Sequence, residues 1–210
     1  MMKQMEFITV VVGPLETNCY LAYCPETREC VVVDPGAQPD QIIKAINENN
    51  LHPVAIVNTH GHVDHIGANQ DIKDKFAVPL FIHQDDVPIL EQAHLGELSF
   101  FLQARPSPPP DKFLVEGLEV TFGQQRLKIL HTPGHTPGSV SLLGDGLIFS
   151  GDTLFNGGVG RTDLPGGDWS QLRASLIEKI LTLPEETIVL PGHGPMTSVG
   201  QEKNDNPFLP

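Results

Sequence analysis

The chain has 210 residues, 40% hydrophobic and 19% charged, with a formal net charge of -13 from 26 acidic and 13 basic side chains. That apolar content supports a packed core and excludes a disordered chain, and the length fits a single domain over 1–210 better than two. The acidic balance repels polyanions, so neither nucleic acid nor an anionic membrane surface is expected as a partner.

The opening stretch MMKQMEFITVVVG holds no long apolar signal region followed by a small-residue cleavage site. No later run approaches the about 20 apolar residues of a membrane span, so a cytoplasmic protein is expected. Strand signals, short β-branched or aromatic runs closed by turn residues, follow in order: FITVVVG, NCYLAYC, CVVVDPG, VAIVNTH, VPLFIH, LEVTFG, RLKILHT, SVSLLG, GLIFSG and TIVLPG. Helical periods interrupt them at 41–50, with Ile42, Ile43 and Ile46, and at 67–76, with Ile72 and Phe76. The clearest helix is expected over 169–183, where Trp169, Leu172, Leu176, Ile180 and Leu183 form one apolar stripe behind Asp168 and Gln171, a pair spaced like a capping box. Residues 91–112 end in RPSPPPDK, whose prolines stop a helix or central strand. This stretch is expected on the surface, as a plain loop or, on the reading tested below, as a border of the substrate cleft. Cys19, Cys24 and Cys30 lack CxxC spacing and lie in or beside strands, which fits buried thiols in a reducing compartment. Strands and helices without strict βαβ alternation predict layered sheets flanked by helices, not a barrel.

Chemistry concentrates in NTHGHVDHIG, residues 58–67, which packs His60, His62, Asp64 and His65 together after an apolar strand. Three later segments repeat the design of strand, Gly or Pro break, then His or Asp, and end at His135, Asp152 and His193. Gly61, Gly134, Gly151 and Gly192 allow tight turns there, so strand ends can deliver these groups to one rim. Imidazoles and carboxylates are ligands for Zn, Fe or Mn, and seven of them suit two divalent ions, where one four-coordinate ion would leave several idle. His60 and His62, two apart, can face the same way. Asp64 and His65 continue round the bend toward a second ion, and Asp152 is the natural bridge. The lone histidines His52, His83, His94 and His131 are read instead as solvated or satisfied structural residues.

The motifs THGHVDH, GH, GD and PGH, in this order, resemble the metallo-β-lactamase superfamily with its HxHxDH signature, over nearly the whole chain from TNCYL to EKNDNPFL. The resemblance implies an α+β architecture, an αββα sandwich of two mixed sheets with metals in the cleft between them. It implies His60, His62 and His135 on a first metal, Asp64, His65 and His193 on a second, and Asp152 bridging, with Zn preferred and Fe or Mn compatible. Asp34 in VVVDPG also matches; it either supports the ligand loop or simply forms a turn. Secreted β-lactamases fit less well, for want of an export signal and because His65 and Asp152 are present. Nucleases lack the expected basic arm.

GGVGRTDLPGGD and GQEKNDNPFL look like the short bacterial type of glyoxalase II-like thioester hydrolase, similar to hydroxyacylglutathione hydrolase. That likeness implies cleavage of a small-molecule thioester such as S-D-lactoylglutathione by a metal-bound hydroxide, with Asp64 and Asp152 as catalytic carboxylates. Larger relatives grip glutathione with a carboxy-terminal helical domain, whereas here the chain ends soon after His193, so Arg161 with Asp163 becomes the candidate substrate contact. Three alternatives stay open: a persulfide dioxygenase using one iron on His60, His135 and Asp152, a lactone hydrolase, and a metal-loaded module without turnover.

Overall fold

The strand runs pair into two six-stranded sheets in the computed structural model, which describes residues 4–102 and 104–209. In the first sheet β1 (Glu6–Val12), β2 (Thr17–Tyr23) and β3 (Glu29–Val33) form an antiparallel meander. Parallel pairing needs a crossover, and α1 (Pro39–Glu48) supplies the one that carries the chain from β3 to β4 (His52–Val57). α2 (Val63–Ile66) and α3 (Asn69–Phe76) then lead to β5 (Leu80–His83), again parallel. The next crossover contains α4 (Val87–Gln92), a turn at Ala93–Leu95 and α5 (Glu97–Leu102), followed by the proline-rich stretch without regular structure, and returns as β6 (Lys112–Leu114) beside β5.

The second sheet opens with antiparallel β7 (Glu119–Phe122), β8 (Gln125–His131), β9 (Val140–Leu143) and β10 (Leu147–Gly151). A short ribbon, β11 (Leu154–Phe155) with β12 (Gly158–Val159), precedes α6 (Trp169–Ser175). β13 (Ile188–Pro191) then joins β10 in parallel, β14 (Thr197–Ser198) closes the edge, and α7 (Val199–Asp205) follows.

Side chains alternate across each strand, and the two faces of the first sheet bury different partners. Tyr20, Ala22, Val31, Val33 and Val57 meet Phe122, Leu127, Ile129, Leu142 and Phe149 of the second sheet. Cys19, Leu21, Cys30, Val32 and Ile56 turn the other way, against Ile42 and Ile46 of α1 and Ile72 of α3. On the far side of the second sheet, Leu130, Ile148 and Val189 pack under Leu172, Leu176, Ile180 and Val199. Burying each such aliphatic side chain stabilises the fold by about 1.5–3 kcal/mol. The layers run helix, sheet, sheet, helix: the αββα sandwich, built from period-two strands with apolar residues on both faces.

Two elements differ from their sequence reading. The stripe over 169–183 is not one α-helix, because after Ser175 the chain widens into a π-helical turn, Leu176–Ile180, closed by Leu181 N donating to Leu176 O at 2.8 Å. Trp169 is the first helical residue and is 44% exposed rather than part of the core. α1 begins earlier and ends sooner than 41–50, started by Pro39, whose fixed φ and missing N–H suit a first turn. The three cysteines are buried and unpaired, and burial pushes the Cys19 and Cys30 thiols up, the latter to about 12. Among the described residues no helix is long and apolar enough to cross a membrane.

Candidate metal centre

β4, β8, β10 and β13 each end in a loop at the same rim of the sandwich, and these loops carry the seven candidate groups. His60 and His62 lie on the extended link before α2, Asp64 and His65 inside α2, His135 beyond β8, Asp152 just past β10 and His193 just past β13. Groups distant in sequence converge as a result. The ligand-type atoms of His60, His62 and His135 lie within 4.8 Å of one another, as do those of Asp64, His65 and His193, and those of His60, His65 and Asp152. Asp152 stands between the two triads, with Oδ2 3.6 Å from His135 Nε2 and 3.5 Å from His193 Nε2, and Oδ1 3.4 Å from His65 Nε2. Closest of all are His62 Nδ1 and His135 Nε2, at 2.9 Å.

The outer nitrogens fix which lone pairs point inward. His135 Nδ1 donates to the Arg161 carbonyl at 2.8 Å and His193 Nδ1 to the Leu15 carbonyl at 3.0 Å. His65 Nδ1 donates to Asp34 Oδ2 at 3.0 Å. Thr59 Oγ1 gives its own hydrogen to Asp34 Oδ2 at 2.6 Å, so it accepts from His60 Nδ1 at 3.1 Å. In their neutral form all four histidines therefore turn the Nε2 lone pair toward the centre, the tautomer a metal ligand needs.

Burial and crowding set the protonation of the cluster. Burial pushes His60 well below the ordinary imidazole range, helped by the neighbouring imidazoles, and carries His62 down to about 4. Burial pushes Asp64 up, but His65 and His193 outweigh it and hold this carboxyl well below the usual range. Asp152 is likewise raised by burial and lowered further by His65, His193 and His135. For His65, burial acts downward, yet Asp152, Asp64 and Asp34 together raise it.

Buried His60 Nε2 and Asp152 Oδ1 have no hydrogen-bond partner among the described residues. An unpaired buried polar atom costs about 1–3 kcal/mol, and five imidazoles aimed at two carboxylates form the donor set of divalent cations. The residues fit such ions. A Cβ on Gly192 would overlap Asp152 Oδ1 and come within 2.8 Å of His65 Cε1, so this position has to be glycine for the groups to close up.

Several supporting residues escaped the sequence reading. Asp86 is buried and accepts from Gly61 N at 2.7 Å, Thr136 Oγ1 at 2.8 Å and Gly138 N at 2.7 Å, tying the His60–His62 link to the His135 loop. The TNCY stretch stitches the first sheet to the His193 loop. Tyr20 Oη donates to the Pro191 carbonyl at 2.7 Å, Asn18 Nδ2 to the Pro191 and Gly194 carbonyls at 2.9 Å, and Thr17 Oγ1 reaches Asp64 Oδ2 at 3.4 Å. Asp34 takes the supporting role between its two open readings: its side chain braces Thr59 and His65 while its backbone turns at φ 50°.

Arg161 and Asp163 stand at the surface in a bidentate pair, at 2.8 and 2.7 Å, and Arg161 touches the cluster only through its carbonyl. His52 and His94 are exposed, as solvated residues should be. His83 and His131 stack at 4.1 Å with an interplanar angle of 7°, and Asp85 lies beside them. Parallel rings send their in-plane lone pairs side by side, not toward a shared ion.

Residues 12–193 match the family model of the metallo-beta-lactamase superfamily. The chain belongs to that superfamily. A probable metallo-hydrolase, YqgX of Bacillus subtilis, is 42% identical with 98% of each chain covered, and hydroxyacylglutathione hydrolase GloC of Haemophilus influenzae is 35% identical, also with 98% of each covered. Among solved structures, BLEG-1 B3 metallo-beta-lactamase superposes with a TM-score of 0.89 at 42% identity, covering 97% of this chain and 99% of that one. TTHA1623 in a di-iron-bound form gives 0.88 at 41%, covering 96% and 100%. The chain thus falls among the metallo-hydrolases of this superfamily, and its His and Asp cluster is a candidate divalent-metal site.

Proposed function

We propose that the protein hydrolyses a small-molecule thioester of the S-D-lactoylglutathione type, with two divalent ions, Zn by preference, at the cluster. The carrying observation is the pair of triads flanking Asp152, with the orphaned His60 Nε2 and Asp152 Oδ1 between them. His60, His62 and His135 would hold one ion, Asp64, His65 and His193 the other, and Asp152 both. When bound, such ions supply Lewis acidity, lowering the pKa of a coordinated water toward about 7 and polarising a carbonyl oxygen.

The chain's own residues then orient and exchange protons. Asp64 stays ionised between His65 and His193 and is the carboxylate placed to accept a hydrogen from the attacking water. Its orientation is braced by Thr17. Asp34 and the Arg161 carbonyl keep His65 and His135 turned inward and Asp86 fixes the backbone of the loops that carry His62 and His135, which limits reorganisation as charge develops. Arg161 and Asp163, on the loop that orients His135, are the proposed polar contacts for the distal end of the substrate. The likeness to GloC supports the thioester, and buried, unpaired Cys19, Cys24 and Cys30 support work in the cytoplasm.

The test joins elemental analysis to a panel of thioesters and lactones and to oxygen uptake with glutathione persulfide. Two metals per chain with thioester turnover uphold the reading. One iron per chain with oxygen consumption would replace it by persulfide dioxygenation, and preferential lactone opening by a lactonase. Metal-replete protein inert to every substrate would leave a binding module.

A further inference from the structure

A cavity of about 310 Å³ opens directly beside His62, and its wall differs in character from the cluster it adjoins. Val63 of α2 forms the side next to the ligand loop, Ile89 and Ala93 descend from the excursion between β5 and β6, and Leu164 and Pro165 close it from the loop after β12. Gln92 and Gly96 complete the lining, and among the described residues it contains no Lys, Arg, Asp or Glu. Ile89 and Leu164 are half-buried. An apolar wall of this kind gains stability when a ligand removes it from water. Arg161, on the same loop as Leu164, does not line the cavity and pairs with Asp163 at the surface outside it. The wall therefore offers no cationic partner for a carboxylate, and a charged group brought there would lose its hydration without compensation.

We propose that this cavity is a specificity subsite for an uncharged apolar substituent of the substrate, a short alkyl chain or a phenyl ring, attached close to the reacting carbonyl. The proposal rests on the hydrolase reading for the position of that carbonyl, and on the cavity alone for the character of the group. Size agrees with the assignment: a cavity of about 150 Å³ lined by aliphatic side chains accommodates benzene, and this one is larger. The substituent can belong to the acyl half or to the thiol half of a thioester. Either way, the substrate's polar end is left at the mouth.

Binding and turnover test it separately. Uncharged N-alkyl acetamides of increasing chain length, titrated calorimetrically into metal-loaded protein, should gain about fourfold in affinity per methylene until the cavity fills. Ile89→Asp and Leu164→Asp should flatten that series. Ala93→Leu, which only removes volume, should stop it at a shorter chain, with metal content unchanged in all three. In turnover, one series varies the acyl group on a fixed thiol and a second varies the thiol on a fixed acyl group. A rise of kcat/KM with chain length in one series, lost in Ile89→Asp, assigns the substituent to that half. Thioester turnover with no chain-length dependence in either series, or a dependence untouched by all three variants, overturns the subsite. Chain-length-dependent amide binding without hydrolysis of any thioester would overturn the hydrolase reading and leave the subsite standing.

Discussion

One carboxylate, Asp34, steadies two ligand-bearing segments, since its Oδ2 accepts from His65 Nδ1 and from Thr59 Oγ1 while Oδ1 takes Thr59 N at 2.7 Å. Asp34→Asn keeps the shape and tolerates the left-handed backbone, but puts an amide where a charged acceptor stood. Metal affinity should fall about tenfold to a hundredfold, measured by chelator competition, with the far-ultraviolet dichroism of the wild type retained. Gly192→Ala should be more severe, because its methyl group would occupy the space of Asp152 and His65. The expected outcome is less than one metal per chain and no turnover, and a variant retaining both would refute the packing argument. The convergence of the seven candidate groups was legible in the sequence because each follows a buried strand and four of them crowd into residues 60–65. Asp86 was not. Its role consists of hydrogen bonds from backbone and side-chain donors 25 to 52 positions away, and the second Asp after VPLFIHQ has no local signature of that.

Strands with β-branched runs on two buried faces, such as CVVV and AIV, were visible as strands because both faces demand apolar residues. β6, β11 and β12, at two or three residues, are too short to show any period; β6 forms against the edge of β5, and β11 and β12 against each other. The π-helical turn was hidden for a related reason, as its leucines and isoleucines keep helical spacing across the widened step. At this scale α7 acts as a clamp: Glu202, 1% exposed, accepts from Thr197 Oγ1 at 2.6 Å, Gly157 N at 3.0 Å and Asn206 Nδ2 at 2.7 Å. Glu202→Ala strands these donors, and a loss of about 2–3 kcal/mol is expected by denaturant unfolding. The π-helical turn after α6 is in its turn tied to β8 by Glu116, which accepts from Lys179 Nζ at 2.5 Å and His131 N at 2.8 Å. Burial pushes Glu116 up, but these two contacts prevail and hold it below its usual 4.5. A carboxylate depressed in the folded state adds stability above its unfolded value and loses it as pH falls. The melting temperature of the wild type should therefore exceed that of Glu116→Gln at pH 7, and the gap should close as pH drops below about 4.5.

On the scale of the molecule, the cluster draws four ligands from the first sheet's loop and three from the second sheet's loops, so bound cations would join the two halves of the sandwich. A ligand present at a hundred times its Kd stabilises a native state by about 2.7 kcal/mol, and at this chain length each kcal/mol moves Tm by about 2–4 °C. Metal-loaded protein should melt about 5–10 °C above chelator-treated protein, with both transitions reported together by tryptophan fluorescence and dichroism. Unequal shifts in the two probes would show that the halves are not coupled through the centre. One feature of the arrangement reaches past this chain. The cluster's groups sit on short loops after strand ends, braced by the Arg161 carbonyl and by buried Asp86, whereas Ile89, Ala93, Leu164 and Pro165 lie on the same connections as those two braces but make none of the bracing contacts themselves. Diversification can thus rewrite the vestibule residue by residue, while an exchange of a whole connection leaves the cluster in order only if it carries over the Asp86 carboxylate or the carbonyl at Arg161.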